Sequence, residues 1–89
     1  MKPISLTKGF DKSYKKRISP NRNLRAAYIN RVAAFQKGER GRPLDDHPLR
    51  GNMKGKRAFS IAGDVRVIYE DADEFYIFLD VGSHNQVYK

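Results

Sequence analysis

The segment Lys56-Arg57-Ala58-Phe59-Ser60-Ile61, followed by Ala62-Gly63-Asp64 and then Val65-Arg66-Val67-Ile68-Tyr69-Glu70, sets two apolar-rich runs on either side of a turn. Six residues suit a strand better than a helix, and Gly63-Asp64 suits a tight reversal, so the segment reads as a β-hairpin. A third run, Phe75 to Val81, follows Asp71-Ala72-Asp73 and extends the hairpin to a three-stranded meander. Alternation puts Val65, Val67 and Tyr69 on one face and Arg66 and Ile68 on the other.

Such a sheet needs a cover, and the upstream half supplies it. Ile4-Ser5-Leu6-Thr7 reads as a short first strand. Phe10, Tyr14 and Ile18 then recur every four residues with Lys12, Lys15, Lys16 and Arg17 between them, which predicts a helix over Lys8 to Arg17 with one apolar and one basic face. Ser19-Pro20 is a helix-start signal, since serine caps free N–H groups and proline at the first position lacks one. Leu24, Tyr28, Val32 and Phe35 form the stripe of a second helix that Gly38 ends. After a loop from Gly38 to about Gly51 the strands begin. The order is β-α-α-β-β-β, an α+β fold in which a helical hairpin packs on one face of a small antiparallel-type sheet.

At 89 residues the chain has room for one domain, residues 1–89, and one modest core. Its 18 Lys or Arg against 10 Asp or Glu give a formal charge of +8. The excess is uneven: residues 1–43 hold 12 basic and 2 acidic residues, residues 44–89 hold 6 and 8. This asymmetry points to a polyanion partner, although basic side chains also serve simply to solvate helix surfaces. The absence of cysteine excludes disulfides, thiolate zinc sites and cysteine nucleophiles, and makes the cytosol the default compartment. The longest apolar run, Phe75-Tyr76-Ile77-Phe78-Leu79, falls far short of the roughly 20 residues that cross a bilayer, and the N-terminus opens no signal-peptide pattern.

Few residues are suited to chemistry. His47 lies in Asp45-Asp46-His47-Pro48-Leu49 and His84 in Gly82-Ser83-His84-Asn85. A lone loop histidine is ordinarily a solvated polar residue, and two without local partner ligands give no metal shell. Arg57 and Arg66 sit on neighbouring strands. Either they occupy the solvent face opposite the helices, or that face binds an anion through their guanidinium forks. His84, at the exit of the last strand beside those arginines, completes a constellation. An RNase without metal needs a base for the ribose 2′-hydroxyl, cations for the phosphorane and an acid for the departing 5′-oxygen. No P-loop, dinucleotide fingerprint, Ser-His-Asp order or zinc-finger spacing competes.

His47-Pro48-Leu49-Arg50-Gly51, Lys54-Gly55-Lys56-Arg57, Gly63-Asp64-Val65-Arg66-Val67-Ile68-Tyr69, Val81-Gly82-Ser83-His84 and Val87-Tyr88, in that order and spacing, resemble the RelE/ParE superfamily of bacterial toxins, its RelE and YafQ-like ribonuclease branch above all. The likeness covers the whole chain in element order, and specific motifs from about Asp46 onward. It implies a type II toxin: a metal-independent mRNA interferase that needs no cofactor, cuts messenger RNA in the ribosomal A site and is silenced by a cognate antitoxin. In YafQ-like members the functional histidine of His-Pro-Leu, the aspartate before the third strand and the histidine after the last strand fall on His47, Asp64 and His84. In RelE-like members the basic strand positions fall on Arg57 and Arg66, and the C-terminal aromatic on Tyr88. A further YafQ-like histidine is replaced by Ser60, and an aromatic by Val65. The resulting assignment makes His84 the general acid and has Arg57 and Arg66 stabilise the phosphorane. His47 or Asp64 supports the base, and Tyr88, Lys54 and Lys56 contact the substrate, with Tyr88 stacking on a base or orienting the scissile nucleotide. Two other functions fit the same chain: a ParE-like toxin that inhibits DNA gyrase without cutting RNA, and a non-enzymatic nucleic-acid-binding module.

Overall fold

The computed structural model describes residues 2–88. Strand β1, Ile4–Leu6, runs straight into helix α1, Lys8–Ser13, through Thr7, whose side-chain oxygen accepts from the Phe10 backbone N–H. The rod continues past Ser13 as a π-helical segment, Tyr14–Ile18, closed by the Ser19 N–H donating to the Tyr14 carbonyl five residues back. The helix expected over residues 8–17 is thus one rod of two pitches, and Phe10 and Ile18 are both buried along it. Helix α2, Arg22–Gln36, begins later than Ser19-Pro20 suggested. Those two residues form the turn, and the cap is Asn21, whose side chain accepts from the Leu24 N–H at 3.0 Å. Gly38, at φ +94°, provides the left-handed exit.

The remaining elements are β2 (His47–Pro48), a 3-10 turn (Gly51–Met53), β3 (Arg57–Ala62), β4 (Val65–Asp71), β5 (Tyr76–Gly82) and a short helix α3 (His84–Val87). The sheet order is β1-β5-β4-β3-β2, antiparallel throughout except for β1, which lies parallel to β5. The meander is as the sequence indicates. Strand β2 is an addition: two residues within the expected 38–51 loop pair with β3, His47 opposite Ala58 and Pro48 opposite Arg57.

Both faces of the sheet are apolar, unequally. On the helix side Phe59, Ile61, Val67, Tyr69, Phe78 and Val81 pack against Phe10, Ile18, Phe35 and Leu44. Phe35 is the hub, fully buried, stacked on Phe59 at 4.7 Å and edge-on to Tyr69 and Tyr76 at 5.0 and 4.7 Å. The Arg40 guanidinium lies over its ring at 4.0 Å. The opposite face, expected to be open, carries a smaller cluster: Ala58, Ile68 and Val87, flanked by Leu49, Met53, Leu79 and Tyr88. Helix α3 and the 3-10 turn roof this face only in part, and the gap between them is a cleft. Among the described residues, no helix is long and apolar enough to cross a membrane.

Candidate active site

The cleft has a volume of about 400 Å³. Its polar lining is His47, Arg50, Asn52, Arg66 and His84, and its apolar walls are Leu49, Met53 and Tyr88. Among the described residues two arginines and two imidazoles line it and no side-chain carboxylate does, so this lining favours an anion.

His47 reaches it by strand parity. Opposite Ala58 on β2, its side chain takes the Ala58–Ile68 face of the sheet. Its Nδ1 lies 2.9 Å from the Asp45 carbonyl oxygen. A carbonyl only accepts, so Nδ1 carries the hydrogen, and in the neutral ring Nε2 holds the free lone pair.

His84 reaches the cleft by a capped turn. Ser83 and Gln86 form a reciprocal capping box, in which the Ser83 N–H donates to Gln86 Oε1 at 2.8 Å, and His84 is the first residue of α3. Beneath it, Arg17 crosses from the helical rod and donates to the Val81 carbonyl at 3.1 Å and to Asp80 at 3.3 Å. Gly82 leaves the room: a Cβ there would lie 2.9 Å from the Arg17 guanidinium and 2.7 Å from Gln86 Oε1.

Arg66, the second residue of β4 and paired between Ser60 and Gly82, is steered by its Nε donating to the Asp64 carbonyl at 3.2 Å. Its guanidinium lies 5.7 Å from the centre of the Tyr88 ring, and His84 meets the same ring edge-on at 4.6 Å. Tyr88 therefore ties His84 to Arg66, and its hydroxyl is buried with no hydrogen-bond partner among the described residues. Ser60, which stands in place of the further histidine of the YafQ-like pattern, sits directly opposite Arg66.

Of the residues singled out by sequence, His47, Arg66, His84 and Tyr88 are brought together in the cleft. Arg57, expected on one face with Arg66 and His84, is not. It pairs with Tyr69 on β4, in phase with Phe59 and Ile61, and so projects to the helix side. There its Nε and one terminal nitrogen donate to Asp46 Oδ1 at 2.9 and 2.6 Å, and the Tyr69 hydroxyl donates to Asp46 Oδ2. The bond to Asp46 raises the Arg57 pKa, and burial, then the bond to Asp46, push the Tyr69 phenol up. Asp64 is exposed in the β3–β4 turn, and its carbonyl rather than its carboxylate touches the site. Lys54 closes the 3-10 turn, and Lys56 accepts from the Leu49 N–H at 2.9 Å through its carbonyl; neither lines the cleft.

Arg50, Asn52, Leu49 and Met53 were not singled out. The first two follow His47-Pro48 within the motif region, and the turn at Gly51, φ +66°, folds them back over the sheet. No group of three or more His, Cys, Asp or Glu among the described residues is arranged to hold a metal ion.

A family model described as the bacterial toxin of type II toxin-antitoxin system, YafQ, matches residues 2–89. The chain is similar over 99% of its length to the whole chain of a copper-bound mutant toxin from Helicobacter pylori, at 29% identity and TM-score 0.84. It matches all of Escherichia coli YafQ at 20% identity and TM-score 0.82, and YafQ in the Escherichia coli DinJ–YafQ complex, again end to end, at 21% and 0.80. At those identities the two Escherichia coli structures speak for the fold. No curated protein sequence matches the chain significantly. On the family match across nearly its full length, the chain belongs to the YafQ family of toxins of bacterial type II toxin-antitoxin systems.

Proposed function

We propose that the protein is a metal-independent endoribonuclease that cleaves messenger RNA, on the ribosome and in the cytoplasm, and is held inactive by a cognate antitoxin. The observation that carries this reading is the meeting of His47, His84 and Arg66 in one cleft. His47 Nε2 takes the proton of a ribose 2′-hydroxyl, and that oxygen attacks the adjacent phosphorus. Arg66, with Arg50 beside it in the lining, stabilises the phosphorane charge. His84 protonates the departing 5′-oxygen, leaving a 2′,3′-cyclic phosphate and a 5′-hydroxyl. Two imidazoles move the protons and arginine answers the charge, so the scheme needs no metal. His47 takes the base role in preference to Asp64, whose carboxylate lies outside the cleft.

The basic helices serve long-range attraction to ribosomal RNA. The DinJ–YafQ complex of the Escherichia coli relative supports an antitoxin that covers the toxin, and the charge here favours an acidic one. In the test, purified protein meets mRNA in EDTA, with and without ribosomes. Cleavage that His84→Ala and Arg66→Ala abolish without unfolding is expected. Intact RNA together with inhibited gyrase supercoiling would replace this reading with the ParE-like one.

A further inference from the structure

Asp46, immediately before His47, has a side chain with no solvent exposure, whereas its partner Arg57 keeps 35%. Burying a carboxylate carries a desolvation cost that an ion pair only partly repays, so such a pair is better evidence for fixed geometry than for stability. Both carboxylate oxygens are engaged: Arg57 gives two N–H bonds to Oδ1 and Tyr69 gives its hydroxyl to Oδ2. The three residues lie on the helix side of the sheet, and His47 lies on the cleft side one residue further along the chain. Strand β2 is only two residues long and makes a two-residue ladder, which specifies its register weakly.

We propose that Asp46, Arg57 and Tyr69 are positioning residues that fix His47 from behind the sheet, and that Arg57 does not contact the scissile phosphate. The network anchors the chain at Asp46 to two strands at once, and alternation then delivers the next side chain, His47, to the cleft in one orientation. The bond from His47 Nδ1 to the Asp45 carbonyl, on the other side of the anchor, sets the tautomer of that ring. The catalytic consequence rests on His47 acting as the base in RNA cleavage. The structural consequence, one ring orientation and one tautomer, does not.

The test uses the full chain and two readouts. Imidazole ¹H–¹⁵N correlation spectra report the tautomers of His47 and His84 separately, and single-turnover cleavage of RNA reports function. In Tyr69→Phe and Arg57→Gln, His47 is expected to change from one tautomer to a mixture while the His84 signals stay in place. The maximal rate is expected to fall about tenfold and about a hundredfold respectively, with the substrate concentration at half-maximal rate within about twofold, as misplacement of a reacting group requires. Arg57→Lys, which keeps one charged donor, recovers part of both. If Arg57→Gln abolishes cleavage while the His47 spectrum is unchanged, Arg57 acts on the phosphate and the proposal is wrong. A mixed tautomer at full activity refutes it equally. Should the unmodified protein cleave no RNA, the enzymatic reading fails, and the spectra alone decide whether the network holds His47. Tyr69→Phe removes a single hydroxyl and keeps the ring in the core, so it carries the test if Arg57→Gln does not fold.

Discussion

Replacing Gly82 with alanine adds one methyl group where the structure has no room for it. An ideal Cβ at this position lies 2.7 Å from Gln86 Oε1, 2.9 Å from an Arg17 terminal nitrogen and 3.0 Å from Arg17 Cδ. Both side chains must move. Gln86 then gives up its 2.8 Å bond to the Ser83 N–H, half of the capping box on α3, worth about 1 kcal/mol. Arg17 gives up its bonds to Val81 and Asp80, at 3.1 and 3.3 Å, worth about 1 kcal/mol together because both charged side chains keep some solvent contact. The expected loss is about 2 kcal/mol, a fall in melting temperature of about 8–16 °C for a domain of this size. The protein stays folded, because 89 residues carry a stability of about 4–13 kcal/mol. Urea denaturation of Gly82→Ala alone and in a Gln86→Ala background checks the reasoning. In the second background one clash and its bond are already gone, so the same substitution should cost about 1 kcal/mol less. A cost below about 0.5 kcal/mol, or equal costs in the two backgrounds, would refute this account of how β5 hands over to α3.

Three further outcomes follow from the same geometry. Phe35→Ala removes the ring at the centre of the aromatic cluster and should cost about 3–5 kcal/mol by calorimetry, a large share of the stability. Tyr88→Phe removes a buried hydroxyl that has no partner among the described residues and should leave stability unchanged or slightly raised with RNA cleavage retained, whereas Tyr88→Ala releases His84 and Arg66 and should lower cleavage at least tenfold. In alkali, burial and then the nearby Tyr14 push the Tyr28 phenol up to about 12, and burial raises Tyr69 also. The unfolded chain therefore loses these protons near pH 10 before the folded chain does, and the stability they contribute below pH 10 declines above it, Tyr28's share being lost as pH rises through about 12. Urea midpoints measured from pH 9 to pH 12 should fall, and Tyr28→Phe should flatten the fall.

Much of this arrangement is legible in the sequence because it rests on local periodicity. The turn at Gly63-Asp64 and the alternation of Val65, Val67 and Tyr69 specify the β3–β4 hairpin, and the same alternation sends Arg66 to the cleft face. His84 is legible as the residue leaving the last strand. Strand β2 is not, since two residues, one of them proline, carry no periodicity of their own and are a strand only because β3 lies beside them. The sidedness of Arg57 was available in principle: Phe59 and Ile61, its partners in phase, are the large apolar residues that must face the helices. Reading Arg57 by its neighbourhood to Arg66, instead of by that phase, put it on the wrong face. Helix α3 left a signal too, the Ser83-x-x-Gln86 spacing of a capping box. The anchoring of Asp46 by Arg57 and Tyr69 has none, because its partners are 11 and 23 residues away and meet only in the folded sheet.

The central claim is that His84 gives a proton to the leaving oxygen in the cleft it shares with His47 and Arg66. An RNA whose scissile 5′-oxygen is replaced by sulfur has a leaving group that departs without protonation, so single-turnover cleavage of the oxygen and sulfur substrates isolates that step. His84→Ala should cut the oxygen substrate at least a hundredfold more slowly than the unmodified protein and the sulfur substrate at nearly the same rate, while His47→Ala should be slow on both. Equal impairment of His84→Ala on the two substrates would contradict the assignment.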